Sequence, residues 1–260
     1  MKLFILLCLL NGFSAYSQGN EGSSLKMDGA YLMTKQVINN GFTDEILPTK
    51  QLKIYTDKYV MYAAPKSPTD SMASFGFGRY IIDKGKVVEY FSYIADAGEL
   101  MDTAVLTITK LPRGYKQVIV YPPFKDTVYT LTEEYDKVDN GTVSALDGAW
   151  KQSKSYYIST KGDTTANHVT QYKVYYGGHF IWGAGFVDSA SKKNQGVFGY
   201  GDFTLNGLNL VETNKNSTFV SDLVGIPVKI DIKLMGKDQY MQTIKNPKGE
   251  KTVELYDRLK

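Results

Sequence analysis

Lys53-Ile54-Tyr55-Thr56-Asp57-Lys58-Tyr59-Val60-Met61-Tyr62 and Lys173-Val174-Tyr175-Tyr176-Gly177-Gly178-His179-Phe180-Ile181-Trp182 align without a gap, 120 residues apart. Both open on Lys-x-Tyr, pass through a turn, and continue into an apolar and aromatic run. Similar pairs lie on either side of this match. Upstream, Met27-Asp28-Gly29-Ala30-Tyr31 returns as Leu146-Asp147-Gly148-Ala149-Trp150, an offset of 119. Downstream, Phe75-Gly76-Phe77-Gly78 returns as Phe198-Gly199-Tyr200-Gly201, an offset of 123, and an acid follows each pair at the same distance, Glu89 and Glu212. Glu133, Tyr135, Asp136 and Lys137 correspond to Glu254, Tyr256, Asp257 and Arg258, an offset of 121. Five blocks in one order at nearly constant offset mark a duplication. The copies span 25–138 and 145–259, joined at 139–144 by the short polar stretch Asp139-Asn140-Gly141-Thr142-Val143-Ser144.

Each copy reads as β-structure. Twenty tyrosines and 12 phenylalanines suit pleated, half-buried surfaces, and 24 glycines suit turns and bulges. No stretch sustains a helical apolar period. Gln51-Leu52-Lys53-Ile54-Tyr55 and Lys229-Ile230-Asp231-Ile232-Lys233-Leu234 alternate polar with apolar, which predicts strands with one buried and one wet face. Asp83-Lys84-Gly85-Lys86 and Asn206-Gly207 read as hairpin turns. In the first copy the expected strands fall near 29–36, 50–55, 58–64, 74–83, 86–95, 103–110, 115–121 and 126–137. About eight strands joined by hairpins predict an all-β protein of two antiparallel up-and-down barrels. An eight-stranded barrel has an interior that side chains fill or that holds one small ligand.

The amino end has the layout of a secretory signal: Lys2, the apolar run Leu3 to Leu10, then Ser14-Ala15-Tyr16-Ser17. Cleavage is expected before Gln18, giving a secreted or periplasmic chain. The apolar run is shorter than the roughly 20 residues needed to span a bilayer. The one cysteine, Cys8, lies within the expected leader, so disulfides and thiolate chemistry are not expected in the rest of the chain. Without Lys2 the balance is 29 basic against 27 acidic side chains, interspersed, which gives no electrostatic footprint for nucleic acid.

The opening (L/M)-D-G-A-(W/Y), the Lys-x-Tyr strand, the G-x-G strand leading to a glutamate, and the closing E-x-Y-D-(K/R) resemble secreted bacterial lipocalin-like domains of the calycin type. The resemblance covers both copies. It implies that Trp150 packs over a barrel end against Arg258, with Tyr31 and Lys137 as the altered pair in the first copy. It also implies a small, mainly hydrophobic ligand, or an envelope role without one.

The residues proposed to meet such a ligand are Glu212, His179, Phe180 and Trp182 in the second copy, and Glu89, Tyr59 and Tyr62 in the first. Glu89 and Glu212 interrupt apolar strands. They read either as inward carboxylates serving a ligand or an arginine, or as outward, solvated or cross-strand-paired groups. Arg79 is the partner considered in the first copy, but its counterpart is Asp202, which argues against a shared ion pair and favours the second reading. Gly76/Gly78 and Gly199/Gly201 strip one strand face of side chains, which opens a cavity or lets an aromatic ring lie against the backbone. His168 and His179 are the only histidines and show no metal-ligand spacing; no metal or cofactor is expected. No nucleophile elbow, phosphate loop or zinc motif is present, so an enzyme is not the expected reading. The leading expectation is an exported barrel that binds a small hydrophobic molecule. The alternative is a non-catalytic envelope interaction or glycan-binding module with filled barrels, in which tyrosines such as Tyr156, Tyr157, Tyr172, Tyr175 and Tyr176 contribute the aromatic surface.

Overall fold

The computed structural model describes residues 25–48, 50–65 and 73–260. The expected leader and its cleavage point lie outside the described residues. Nine strands form the first barrel: β1 (Gly29–Asn39), β2 (Asp44–Ile46), β3 (Leu52–Thr56), β4 (Tyr59–Pro65), β5 (Ala73–Asp83), β6 (Lys86–Ile94), β7 (Gly98–Leu111), β8 (Gly114–Val120) and β9 (Thr130–Lys137). Nine more form the second: β10 (Gly148–Ile158), β11 (Thr164–Ala166), β12 (Thr170–Tyr176), β13 (His179–Val187), β14 (Asn194–Asn206), β15 (Asn209–Ser217), β16 (Pro227–Leu234), β17 (Gln239–Lys245) and β18 (Lys251–Arg258). The only helical element among the described residues is one turn of 3-10 helix at Ser221–Leu223.

Each sheet is an antiparallel meander that closes on itself, β1 on β9 and β10 on β18. The first strand of each copy is the hub. The start of β1 pairs with β3 (Gly29 opposite Tyr55), its end with β2 (Val37 opposite Ile46), and its other edge with β9. The β10 strand repeats this with β12, β11 and β18. Eight strands make each closed wall, and β2 and β11 continue the columns of β3 and β12. These two three-residue strands were not legible: Asp-Glu-Ile and Thr-Thr-Ala are exposed throughout and carry no alternation. Irregularities are duplicated too. Register shifts fall at Met33/Lys35 and Gln152/Lys154, and at Phe77/Gly78 and Tyr200/Gly201. The hairpin at 83–86 places Lys84 and Gly85 at positive φ, as its sequence requires.

The alternation of the Lys-x-Tyr strand needs a correction. No face of β3 is wet: Leu52 to Thr56 are all buried. Leu52 and Ile54 face the other barrel, while Gln51, Lys53 and Tyr55 face the lumen. The same holds for β12. The outer faces of β3–β5 and β12–β14 pack together into one core containing Leu52, Ile54, Phe75, Phe77, Val174 and Ile181 among others. Phe77 stacks on Tyr172 across this junction with ring centroids 4.2 Å apart. Two glycines make the approach close enough. A Cβ at Gly183 would lie 2.6 Å from the ring of Phe75, and one at Gly196 2.7 Å from Ala95. By contrast, β16 behaves as its pattern predicts: Ile230 and Ile232 are buried in the second lumen, while Lys229, Asp231 and Lys233 are exposed.

Candidate functional site

The polar members of the Lys-x-Tyr strands set the character of both lumens. In the first barrel Lys53 Nζ lies 3.1 Å from Glu89 Oε1 and also donates to Gln117 Oε1 at 3.4 Å. The Tyr55 hydroxyl donates a short hydrogen bond to the same Glu89 oxygen. Gln117 donates in turn to Glu133 Oε2 at 2.5 Å, Tyr135 donates to that oxygen at 2.9 Å, and Gln36 reaches Glu133 Oε1 at 2.6 Å. Gln51 Nε2 donates to the Tyr135 hydroxyl at 2.5 Å. Lys53 is 3% exposed and Glu89 1%.

The second barrel repeats this arrangement, except that Ser155 stands opposite Glu254 where Gln36 stands opposite Glu133. Lys173 Nζ is 2.7 Å from Glu212 Oε1, and Tyr175 donates to that oxygen at 2.5 Å. Lys173 reaches Gln242 Oε1 at 3.4 Å, Gln242 donates to Glu254 Oε2 at 2.5 Å, and Tyr256 to the same oxygen at 2.8 Å. Gln171 closes the chain on the Tyr256 hydroxyl. Aromatic rings wrap both centres: Tyr115 stacks on Tyr135 and Tyr240 on Tyr256, each at 4.9 Å, while Lys53 lies 5.6 Å from the centroid of Tyr135 and Lys173 5.6 Å from that of Phe180.

The electrostatics follow from burial. Burial first, and then the neighbouring glutamates, hold the hydroxyls of Tyr55, Tyr135, Tyr175 and Tyr256 well above the ordinary tyrosine range, so they remain neutral donors. A buried ion pair is tolerable only when its remaining lone pairs and protons are hydrogen-bonded, and the tyrosines and glutamines do this for Glu89, Glu133, Glu212 and Glu254. The arrangement binds its own parts. A neutral, buried tyrosine is a poor nucleophile or base, and each glutamate is already occupied by donors.

Glu89 and Glu212 are therefore inward and ion-paired in both copies, which corrects the solvated reading. Lys53, and not Arg79, is the partner of Glu89. Arg79 stands at the barrel junction, where its Nη2 donates to the Tyr59 hydroxyl at 3.2 Å and to the Lys260 carbonyl at 3.0 Å. Of the other sequence-derived candidates, Tyr62, Phe180 and Trp182 pack with the lumen clusters that hold Lys53 and Lys173, whereas Tyr59 and His179 stand at the barrel junction. Tyr59 lies in the junction core, stacked on Phe77 at 5.6 Å. His179 occupies the matching junction position in the second barrel, donating through Nε2 to Val138 O at 2.8 Å, with Nδ1 2.9 Å from Asp202 Oδ1. Tyr62 lies against Gly76, and a Cβ there would meet the tyrosine ring at 2.4 Å. Trp182 fills the same role over Gly199, and Phe180 is buried beside Lys173. The glycine pairs thus admit rings instead of opening a cavity. Their second members, Gly78 and Gly201, sit at the register shifts, where a Cβ would strike the backbone oxygens of Tyr90 and Thr213.

No family model matches the chain, and no curated protein matches it. Among solved structures, a protein of unknown function from the DUF3598 family of Nostoc punctiforme is similar at 11% identity, over 89% of this chain and 96% of that one, with a TM-score of 0.26.

At the end of the second barrel, the Arg258 guanidinium lies 4.0 Å from the centroid of the Trp150 ring. Its Nη2 donates to Ala145 O and its Nε to Lys237 O, each at 2.7 Å, and Trp150 Nε1 donates to Leu146 O at 2.7 Å. In the first barrel Lys137 pairs opposite Tyr31, and its Nζ lies 3.4 Å from Asp139 Oδ2. The network residues that sequence reasoning missed are Lys53, Gln117 and Glu133 with their counterparts Lys173, Gln242 and Glu254. The signal was present. Lys-x-Tyr and Glu-x-Tyr are among the few identities held by both copies, but each marks a strand locally and nothing in the spacing says that the two strands face each other.

Proposed function

We propose that the chain is an exported, non-catalytic interaction module of two lipocalin-like barrels, in which the lumens are structural and the outer surfaces and barrel junction do the binding. The observation that carries this reading is the duplicated Lys–Glu–Tyr centre. An apolar ligand entering either lumen would meet a buried ion pair and would have to break hydrogen bonds that the ligand could not replace, at about 1–3 kcal/mol for each group left unsatisfied. Ligand pockets of the ordinary kind offer mainly apolar walls with a few convergent polar groups; here the polar groups converge on one another.

Native mass spectrometry of the protein purified from its own host tests the proposal. The expected spectrum carries the bare chain mass. A stoichiometric apolar adduct that is lost only on unfolding would overturn it and favour the ligand-carrying barrel.

A further inference from the structure

A cleft of about 490 Å³ lies where the two barrels meet, on the side of the β6–β7 turn. The first barrel contributes Tyr93, Gly98 and Glu99; the second contributes His168 from the β11–β12 loop, Thr170 at the start of β12, and Phe186 near the end of β13. It exists because the wall of the second barrel parts there. The β12–β13 ladder begins at the pair Thr170–Gly185, and beyond it Phe186 and Val187 are paired only with β14. The first barrel closes one side of the opening. Asn194 Nδ2 donates to Ala97 O across the junction at 3.0 Å. Gly185 carries no side chain where the Tyr93 hydroxyl stands: a Cβ there would lie within 2 Å of that oxygen.

Three features of the cleft point to a ligand class. First, the side chains of Glu99 and His168, both exposed, make no hydrogen bond or ion pair among the described residues. Second, Phe186 and Val169 add apolar surface to the lining. A carboxylate accepts from two hydroxyls at once, a carboxamide and an imidazole both donate and accept, and an aromatic ring offers a flat apolar face. Third, Glu99 is the one acid lining the cleft, and no lysine or arginine lines it. An anionic ligand is therefore disfavoured. The unpaired edge of β13 is two residues long, too short for the ladder by which an extended peptide adds to a sheet.

We propose that this junction cleft binds a neutral saccharide unit, with Glu99 and His168 hydrogen-bonding its hydroxyls and Phe186 supporting its apolar face. The site needs both barrels, which gives the duplication a function that one copy lacks. This rests on the reading of the lumens as filled.

An array of neutral, amino-bearing and acidic oligosaccharides probed with the full chain, followed by calorimetric titration of the best neutral member, tests the proposal. Binding to neutral members is expected, and Glu99→Ala should weaken it about tenfold or more, as loss of a hydrogen bond to a charged group does. Phe186→Ala should weaken it similarly, while Lys229→Ala, on the exposed face of β16 away from the cleft, leaves it unchanged. Glu99 is exposed and unpaired, so its replacement does not threaten folding. Absence of binding, binding to acidic members alone, or affinity unchanged in both cleft variants would overturn the site. None of those results bears on the lumens, whereas an apolar adduct in the native mass spectrum would remove the broader reading itself.

Discussion

Lys173 stands in a lumen where water cannot replace its partners. Removing it leaves Glu212 buried with the Tyr175 hydrogen bond but without its counter-charge, a situation that costs about 3–5 kcal/mol. Lys173→Met should therefore lower the free energy of unfolding by that order in chemical denaturation. Lys173→Met combined with Glu212→Leu should cost less than the two single changes added together, because the double variant buries no unpaired charge. Additive losses would show that the two side chains do not interact. Lys53 and Glu89 should behave in the same way. The lumen tyrosines supply a second prediction. Their folded-state pKa is raised above the ordinary value of 10.0, so the unfolded chain ionises first. The stabilisation is complete below about pH 10 and is lost as pH rises above it. The tyrosinate absorbance of Tyr55, Tyr135, Tyr175 and Tyr256 should appear together with alkaline unfolding and not before it; smooth titration of all tyrosines in a folded protein would contradict their burial.

At the scale of elements, most of the barrel was legible because hairpin chemistry and duplication both leave local marks. The strand expected at 74–83 is β5 (Ala73–Asp83) and the one at 86–95 is β6 (Lys86–Ile94). What was hidden is which way a strand faces. Gln51-Leu52-Lys53-Ile54-Tyr55 has the pattern of a half-wet strand, yet its polar side looks into a lumen and its apolar side onto another barrel. Periodicity reports that two faces differ, not what covers each. The ion pairs were hidden for a related reason: Lys53 and Glu89 lie on strands three apart in the wall and meet only across the lumen. The junction makes its own prediction. Gly183 admits the ring of Phe75, so Gly183→Val should cost about 1–3 kcal/mol through overpacking. No loss of stability in Gly183→Val would mean that the barrels do not pack there.

The whole molecule is two closed sheets sharing one outer core. Each barrel lends the faces of three strands to the junction, and cross-contacts hold it at both ends of the repeat, Tyr59 on the Lys260 carbonyl and His179 on that of Val138. Cooperative melting of the two barrels in one calorimetric transition is expected from so large a shared core; two resolved transitions would assign the stability to each barrel separately. The account at this scale is that duplication supplied a rigid pair of filled barrels and, between them, a surface that neither copy has alone.

A crystal structure of the protein isolated from its own host tests this most directly. The account predicts side-chain density joining Lys53 to Glu89 and Lys173 to Glu212 at hydrogen-bonding distance, with no foreign molecule in either lumen. Density for a bound apolar molecule between separated lysine and glutamate side chains would contradict it.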